Sequence, residues 1–266
     1  MKDIDLNELK KIQINVLDAF VEFCEKRNLT YFLAYGTLLG AVRHKGYIPW
    51  DDDIDVMMPR EDYNVLLKTF NMSGERYRVI HYSIDNAFPM PYAKVYDTNT
   101  IFEEGVRTKF HLGVNIDVFP LDYVSDNIKE CRKQMSYTLF MRKLQVLKNI
   151  KILKKRRFFK NLFIFINRPI LFFVSNKLLN RFINLNAMRF FKNQSNLIAN
   201  CVDPSNKDEI FYSEYFDSSD SLIFEGSYYN VPSKYNEVLT KMYGDYMRLP
   251  PMEQQKTHHL FKAFWK

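Results

Sequence analysis

The sequence predicts an α+β domain with a small mixed sheet flanked by helices. Three observations lead there. An amphipathic helical repeat opens the chain, short apolar runs of strand length alternate with helical stretches as far as residue 119, and glycine or proline stands at the joints. Asp5-Leu6-Asn7-Glu8 reads as a capping box, and Leu9, Ile12, Val16, Phe20 and Phe23 follow at helical spacing, so residues 6 to 27 form the first helix. Tyr31 to Tyr35 is a short apolar strand ending at a Gly36-Thr37 turn. A short helix follows over 38 to 44, with Arg43, His44 and Lys45 suited to its negative end and Gly46 as its stop. Pro49 and Trp50 lead into a strand over roughly 53 to 58, and Pro59 opens a helix over 60 to 70. Tyr92 to Tyr96 and Val114 to Phe119 are further strands, and from about 131 to 200 the reading is helical.

The 266 residues suffice for one large domain, or one with a sizeable insertion. A hydrophobic fraction of 47% supplies a core, and only eight glycines and ten prolines argue against a disordered or fibrous chain. Cys24, Cys131 and Cys201 are far apart and form no CxxC pair, which argues against a disulfide framework or a zinc cluster. Met1 to Asp5 lacks the long apolar run of a signal peptide, so a cytoplasmic location is expected.

Charge divides the chain unevenly. Residues 131 to 202 hold no Asp or Glu but sixteen Lys and Arg; removing those sixteen from the net charge of +7 leaves −9 on the remainder. A basic segment of this kind suits nucleic acid, anionic lipid or an anionic substrate. Its apolar runs, 162 to 166 and 170 to 174, are broken by Asn167-Arg168-Pro169 and fall short of the roughly 20 residues that span a bilayer. With Lys154, Lys155, Arg156, Arg157 and Lys160 just before them, they suit an interfacial element on an anionic membrane. In the other reading the apolar faces pack on the rest of the protein and the charges are solvated.

The densest chemistry is Asp51-Asp52-Asp53-Ile54-Asp55, four carboxylates in five positions. Such crowding is repulsive unless a cation relieves it, and hard divalent ions take carboxylates together with substrate phosphates. On a strand Asp51, Asp53 and Asp55 share one face, with Ile54 and Val56 on the other. Gly36-Thr37, upstream, would turn backbone N–H groups and a hydroxyl toward an anion. An acidic turn exposed to water is the alternative. Trp50 suits stacking on a base, cation–π contact with a quaternary ammonium, or plain packing. His258 and His259 suit metal or phosphate, or a surface tail.

Gly36-Thr37 followed by Asp53-Ile54-Asp55-Val56 resembles the nucleotidyltransferase superfamily signature. The fuller strings from Gly36 to Gly46 and Ile48 to Asp55, with Met58-Pro59-Arg60-Glu61-Asp62-Tyr63, resemble the LicD family in particular. So do Ala93-Lys94-Val95-Tyr96-Asp97, the run from Ile116 to Asp122, and the run from Tyr243 to Pro251. The likeness covers roughly residues 15 to 122 and 235 to 260.

The resemblance implies a nucleotidyltransferase-like core over 1–130, a basic helical insertion over 131–202, and a segment over 203–266 that returns to the core. It implies transfer of a phospho-alcohol, phosphocholine first, from a CDP-activated donor such as CDP-choline to a hydroxyl of a lipopolysaccharide- or teichoic-acid-type glycan, with release of CMP. Asp53, Asp55 and Asp117 match the catalytic carboxylates and metal ligands, Asp51 is an additional ligand, and the ion is Mg²⁺ or Mn²⁺. Gly36, Thr37, Arg43, Lys45, Trp50, Lys94 and His258 are the expected donor-binding residues. A lipid-linked acceptor would bring the protein to the inner face of the membrane. Nucleotidyl transfer to a small molecule, RNA or protein is the alternative within enzymes. A non-enzymatic lipid- or nucleic-acid-binding protein is the alternative outside them, although the aromatic repeats of RNA modules are not apparent.

Overall fold

The computed structural model describes residues 2–72, 74, 76–103, 112–149, 174–193, 195–256 and 262–266. In chain order the elements are β1 (Lys2–Asp3), α1 (Leu6–Lys26), β2 (Phe32–Leu33), α2 (Tyr35–His44), β3 (Asp55–Pro59), α3 (Arg60–Thr69), β4 (Tyr77–Ile80), β5 (Ala93–Asp97) and β6 (Thr100–Glu103). Then come β7 (Asn115–Tyr123), α4 (Ile128–Asn149), α5 (Asn176–Ala187), β8 (Leu197–Ala199), β9 (Phe211–Tyr212), β10 (Ser219–Phe224), β11 (Ser227–Pro232), α6 (Tyr235–Tyr243) and β12 (Lys262–Trp265).

The central sheet is mixed and runs in the order β2-β3-β7-β5-β4. β3 and β7 are parallel, and the other neighbours in that order are antiparallel. The mixed sheet with flanking helices expected of an α+β domain is therefore present. α1 packs on β5 and β7, α2 on β3, and α3 on β3 and β7. The Asp5 side chain accepts the Glu8 N–H at 2.8 Å to start α1, and Leu9, Ile12, Val16, Phe20 and Phe23 are buried along one side.

Three local expectations change. Gly36-Thr37 is not a turn after a strand, because α2 already begins at Tyr35. Gly46 does not end that helix by a left-handed backbone. Lys45 takes that conformation, at φ 57°, while Gly46 leaves room for Glu225: a Cβ there would meet Glu225 Oε1 at 2.2 Å. The carboxylate so admitted accepts the Tyr47 N–H at 3.0 Å. Third, the 131–200 stretch is not helical throughout. Its last residues form β8, which pairs Ala199 with Asp122 and Ile198 with Tyr123 of β7, so backbone groups there are satisfied by the sheet.

Arg60 and Asp122 explain much of how α3 is held. Arg60 Nε and Nη2 each lie 2.6 Å from an Asp122 oxygen, and both side chains are buried. This fork joins the first residue of α3 to β7. α4 and α5 also belong to the main core, through Cys131, Met135, Met141, Leu179, Ile183 and Ala187. The Lys154 to Lys160 cations and the apolar residues 162–173 lie outside the described residues. Among the described residues no helix is long and apolar enough to cross a membrane.

Candidate active site

The first turn of α2 meets the start of β3. Thr37 is buried in that turn, and its hydroxyl oxygen accepts the Asp55 N–H at 2.9 Å. One residue earlier, a Cβ on Gly36 would stand 2.5 Å from Asp51 Oδ2. A side chain at position 36 would therefore displace the Asp51 carboxylate from this place. Tyr35, before it, holds φ at 45°, a costly value for a residue with a side chain. Its hydroxyl donates to Glu209 Oε1 at 2.6 Å and accepts from Asn200 Nδ2 at 2.8 Å.

β3, β7 and β5 then place three charged residues side by side. Asp55 is in register with Asp117, and Asp117 with Lys94. Residues opposite one another on adjacent strands share a face of the sheet. Lys94 Nζ lies 2.7 Å from Asp117 Oδ1 and donates to Asn115 Oδ1 at 3.0 Å.

The chain ahead of β3 departs from the expected strand. β3 begins only at Asp55, so Asp51, Asp52 and Asp53 lie in irregular chain. In an extended strand Asp52 would point away from its neighbours. Here one carboxylate oxygen from each of the three lies within 4.8 Å of the others. Gln13 of α1 supports this path, donating through Nε2 to Asp52 O at 3.0 Å and Asn115 O at 3.4 Å. The oxygen-only donor set, with Asp55 and Asp117 alongside, suits a hard divalent cation.

The electrostatics point the same way. Burial raises the Asp55 carboxyl well above the usual range, and Asp53, Asp117 and Asp51 raise it further, against a smaller opposing effect of Lys94. Burial also raises the Tyr243 hydroxyl, which feels Asp55, Glu209, Asp51 and Asp53 in that order. Burial lowers Lys10, while Asp51, Glu225 and Asp52 pull it back up. From α4, Arg142 forks onto Asp203 at 2.6 and 2.9 Å and lies within electrostatic reach of Asp117. Burial pushes Glu209 up to about 7, against the hydrogen bonds from Tyr35 and Ser205.

The structure thus brings Gly36, Thr37, Asp51, Asp53, Asp55, Lys94 and Asp117 to one region. Arg43 is placed differently: it donates to His44 Nε2 at 2.9 Å and Tyr246 O at 3.0 Å, and feels the Tyr243 hydroxyl. Lys45 is exposed at the opposite end of α2 from Gly36. Trp50 is half-buried and edge-on to His44, with ring centroids 6.5 Å apart. His258 lies outside the described residues, as does His259.

Lys10, Arg142, Asp203 and Glu209 were not foreseen. Lys10 carries no motif. Asp203 offered one signal, as the first carboxylate after the acid-free stretch.

A family model described as LicD/FKTN/FKRP, nucleotidyltransferase domain, matches residues 28–158. The lipopolysaccharide cholinephosphotransferase LicD of Haemophilus influenzae is 31% identical over 288 aligned residues, covering 99% of each chain. An uncharacterized protein of Rickettsia typhi is 44% identical over 66 residues, 24% of this chain and 21% of its own. Another, from Rickettsia prowazekii, is 54% identical over 41 residues, 15% of each chain. Since the first of these likenesses runs nearly end to end, this chain belongs to the LicD family.

Proposed function

We propose that this protein transfers phosphocholine from CDP-choline to a hydroxyl of a surface glycan of lipopolysaccharide type, releasing CMP, with Mg²⁺ or Mn²⁺ required. The central sheet is read as a nucleotidyltransferase-like core, formed by 1–130 and 203–266, with 131–202 inserted. One observation carries the chemistry: Asp55 and Asp117 stand in register on parallel strands beside the converging carboxylates of Asp51, Asp52 and Asp53. The activity named for the Haemophilus influenzae relative supplies the substrate class.

Asp51, Asp53 and Asp55 would hold the ion, which when bound neutralises charge on the donor's diphosphate oxygens. Asp117 accepts the proton of the attacking hydroxyl, and Lys94 keeps it oriented through the 2.7 Å contact. The acceptor oxygen forms a bond to the phosphorus that carries choline. The bond from that phosphorus to the CMP oxygen breaks, and CMP leaves with the electron pair. Gly36 and Thr37 hold Asp51 and Asp55 in place from behind. Trp50 offers a ring to the quaternary ammonium.

The test is a panel of CDP-alcohols with Mg²⁺ and a lipopolysaccharide acceptor, followed by product analysis. CMP is expected from CDP-choline, with Asp53→Asn and Asp55→Asn each at least about 100-fold slower at unchanged circular dichroism. Pyrophosphate from a nucleoside triphosphate would instead indicate nucleotidyl transfer. Near-normal turnover by either variant would remove the metal assignment.

A further inference from the structure

The helix pair α4–α5 turns one apolar side, Met135, Met141, Leu179 and Ile183 among it, into the main core. Its seam is polar: Gln134 Nε2 donates to Asn186 O at 2.6 Å, and Asn186 Nδ2 donates to Gln134 O and Thr138 Oγ1, both at 3.0 Å. At the other end Asn149 and Asn176 exchange side-chain hydrogen bonds of 2.9 and 3.0 Å. Between them Gln145 bonds Asn180. The order of these partners runs the two helices antiparallel.

A second set of large apolar residues lies away from the core. Tyr137, Phe140 and Val146 of α4 and Leu178, Phe182 and Leu185 of α5 are all exposed, Phe140 and Leu185 by 58% each. Leu178, Phe182 and Leu185 are spaced i, i+4, i+7 and form one stripe. A second apolar stripe, on the side away from the core, is unusual on a helix in water. Apolar residues on both sides fit surroundings that are apolar on the outside too.

Charge selects the surroundings. No carboxylate occurs from 131 to 202, and Lys133, Lys143, Lys177 and Arg181 are exposed on the same two helices. A second copy of this chain would oppose cation to cation across such a face. An anionic bilayer supplies both an apolar boundary for the rings and negative headgroups for the lysines. We infer that the outward faces of α4 and α5 seat on the headgroup boundary of an anionic membrane.

Vesicle flotation of the full chain tests this without donor or acceptor, so its outcome is separate from that of the transferase reading. Vesicles of phosphatidylcholine with phosphatidylglycerol are expected to carry the protein, and pure phosphatidylcholine vesicles to leave it behind. The combined Phe140→Ser, Phe182→Ser and Leu185→Ser variant is expected to bind at least about tenfold more weakly at unchanged melting temperature. Lys143→Glu with Lys177→Glu is expected to weaken binding too, and serves where the triple variant does not fold. Wild-type affinity in a folded triple variant, or in the charge-reversed one, overturns the inference. So does no preference for the anionic vesicles. A dimer in sedimentation equilibrium that the triple variant abolishes also overturns it, since the face would then be a contact between copies.

Discussion

Gly36 and Asp51 are a lock between helix and carboxylate. Gly36→Ala forces the Asp51 side chain to move, because its oxygen stands 2.5 Å from the new Cβ. The fold has room for that shift at the end of a side chain, but the carboxylate group does not keep its shape. The expected outcome is a protein that melts normally without metal and gains less on adding Mg²⁺ than the wild type. Thermal shift against Mg²⁺ concentration measures this directly, since a ligand bound only by the folded state raises stability with its concentration. Asp53→Asn is expected to lose most of the same gain. At this scale the sequence was legible wherever charges were contiguous, as at 51 to 55. It was mute on Lys10 and Glu209, whose proximity to the cluster comes from packing between distant segments.

Elements are joined by a few buried polar contacts, and these set the cost of breaking them. Arg60→Leu leaves Asp122 buried without its guanidinium, and chemical denaturation is expected to show a loss of about 3–5 kcal/mol. The double replacement Arg60→Leu, Asp122→Leu is expected to recover much of that loss. Both residues stand in motifs the sequence singled out, yet their partnership spans α3 and β7 and could not be read from spacing. Helix α1 was legible through periodicity and capping, and α3 through Pro59 at its start. The strand β8 was not: Leu197-Ile198-Ala199 is too short to show a period, and its strand character comes from pairing with β7. α2 begins at Tyr35, whose hydroxyl is tied to Glu209 and Asn200, distant partners that no local pattern records.

Across the whole molecule, raised carboxyls tie stability to pH. Glu209 ionises near 4.5 in the unfolded chain and near 7 in the folded one. Between those values the unfolded state gains from ionising and the folded state does not. The metal-free protein should therefore lose stability as pH rises through that window, by at most about 3 kcal/mol from Glu209. Asp55 adds a loss of the same sign that begins near its unfolded value of 3.8. Glu209→Gln is expected to flatten the upper part of the curve in melts from pH 4 to 8, with unchanged slope counting against the assignment. The mixed sheet was legible from the alternation of short apolar runs with helices. Its strand order was not, because β7 receives partners from both earlier and later chain.

That arrangement of β7 has a mechanical side. Asp117 is its third residue and Asp122 its eighth, about 17 Å further along. One end carries the carboxylate that faces Asp55, while the other is clamped by Arg60 and stitched to β8, which leads on to Asp203 and Arg142. Tension applied at the far end is delivered along a single rigid ribbon. A displacement at the far end therefore reaches Asp117 through the strand it shares with Asp122, and turnover is the property that would register it.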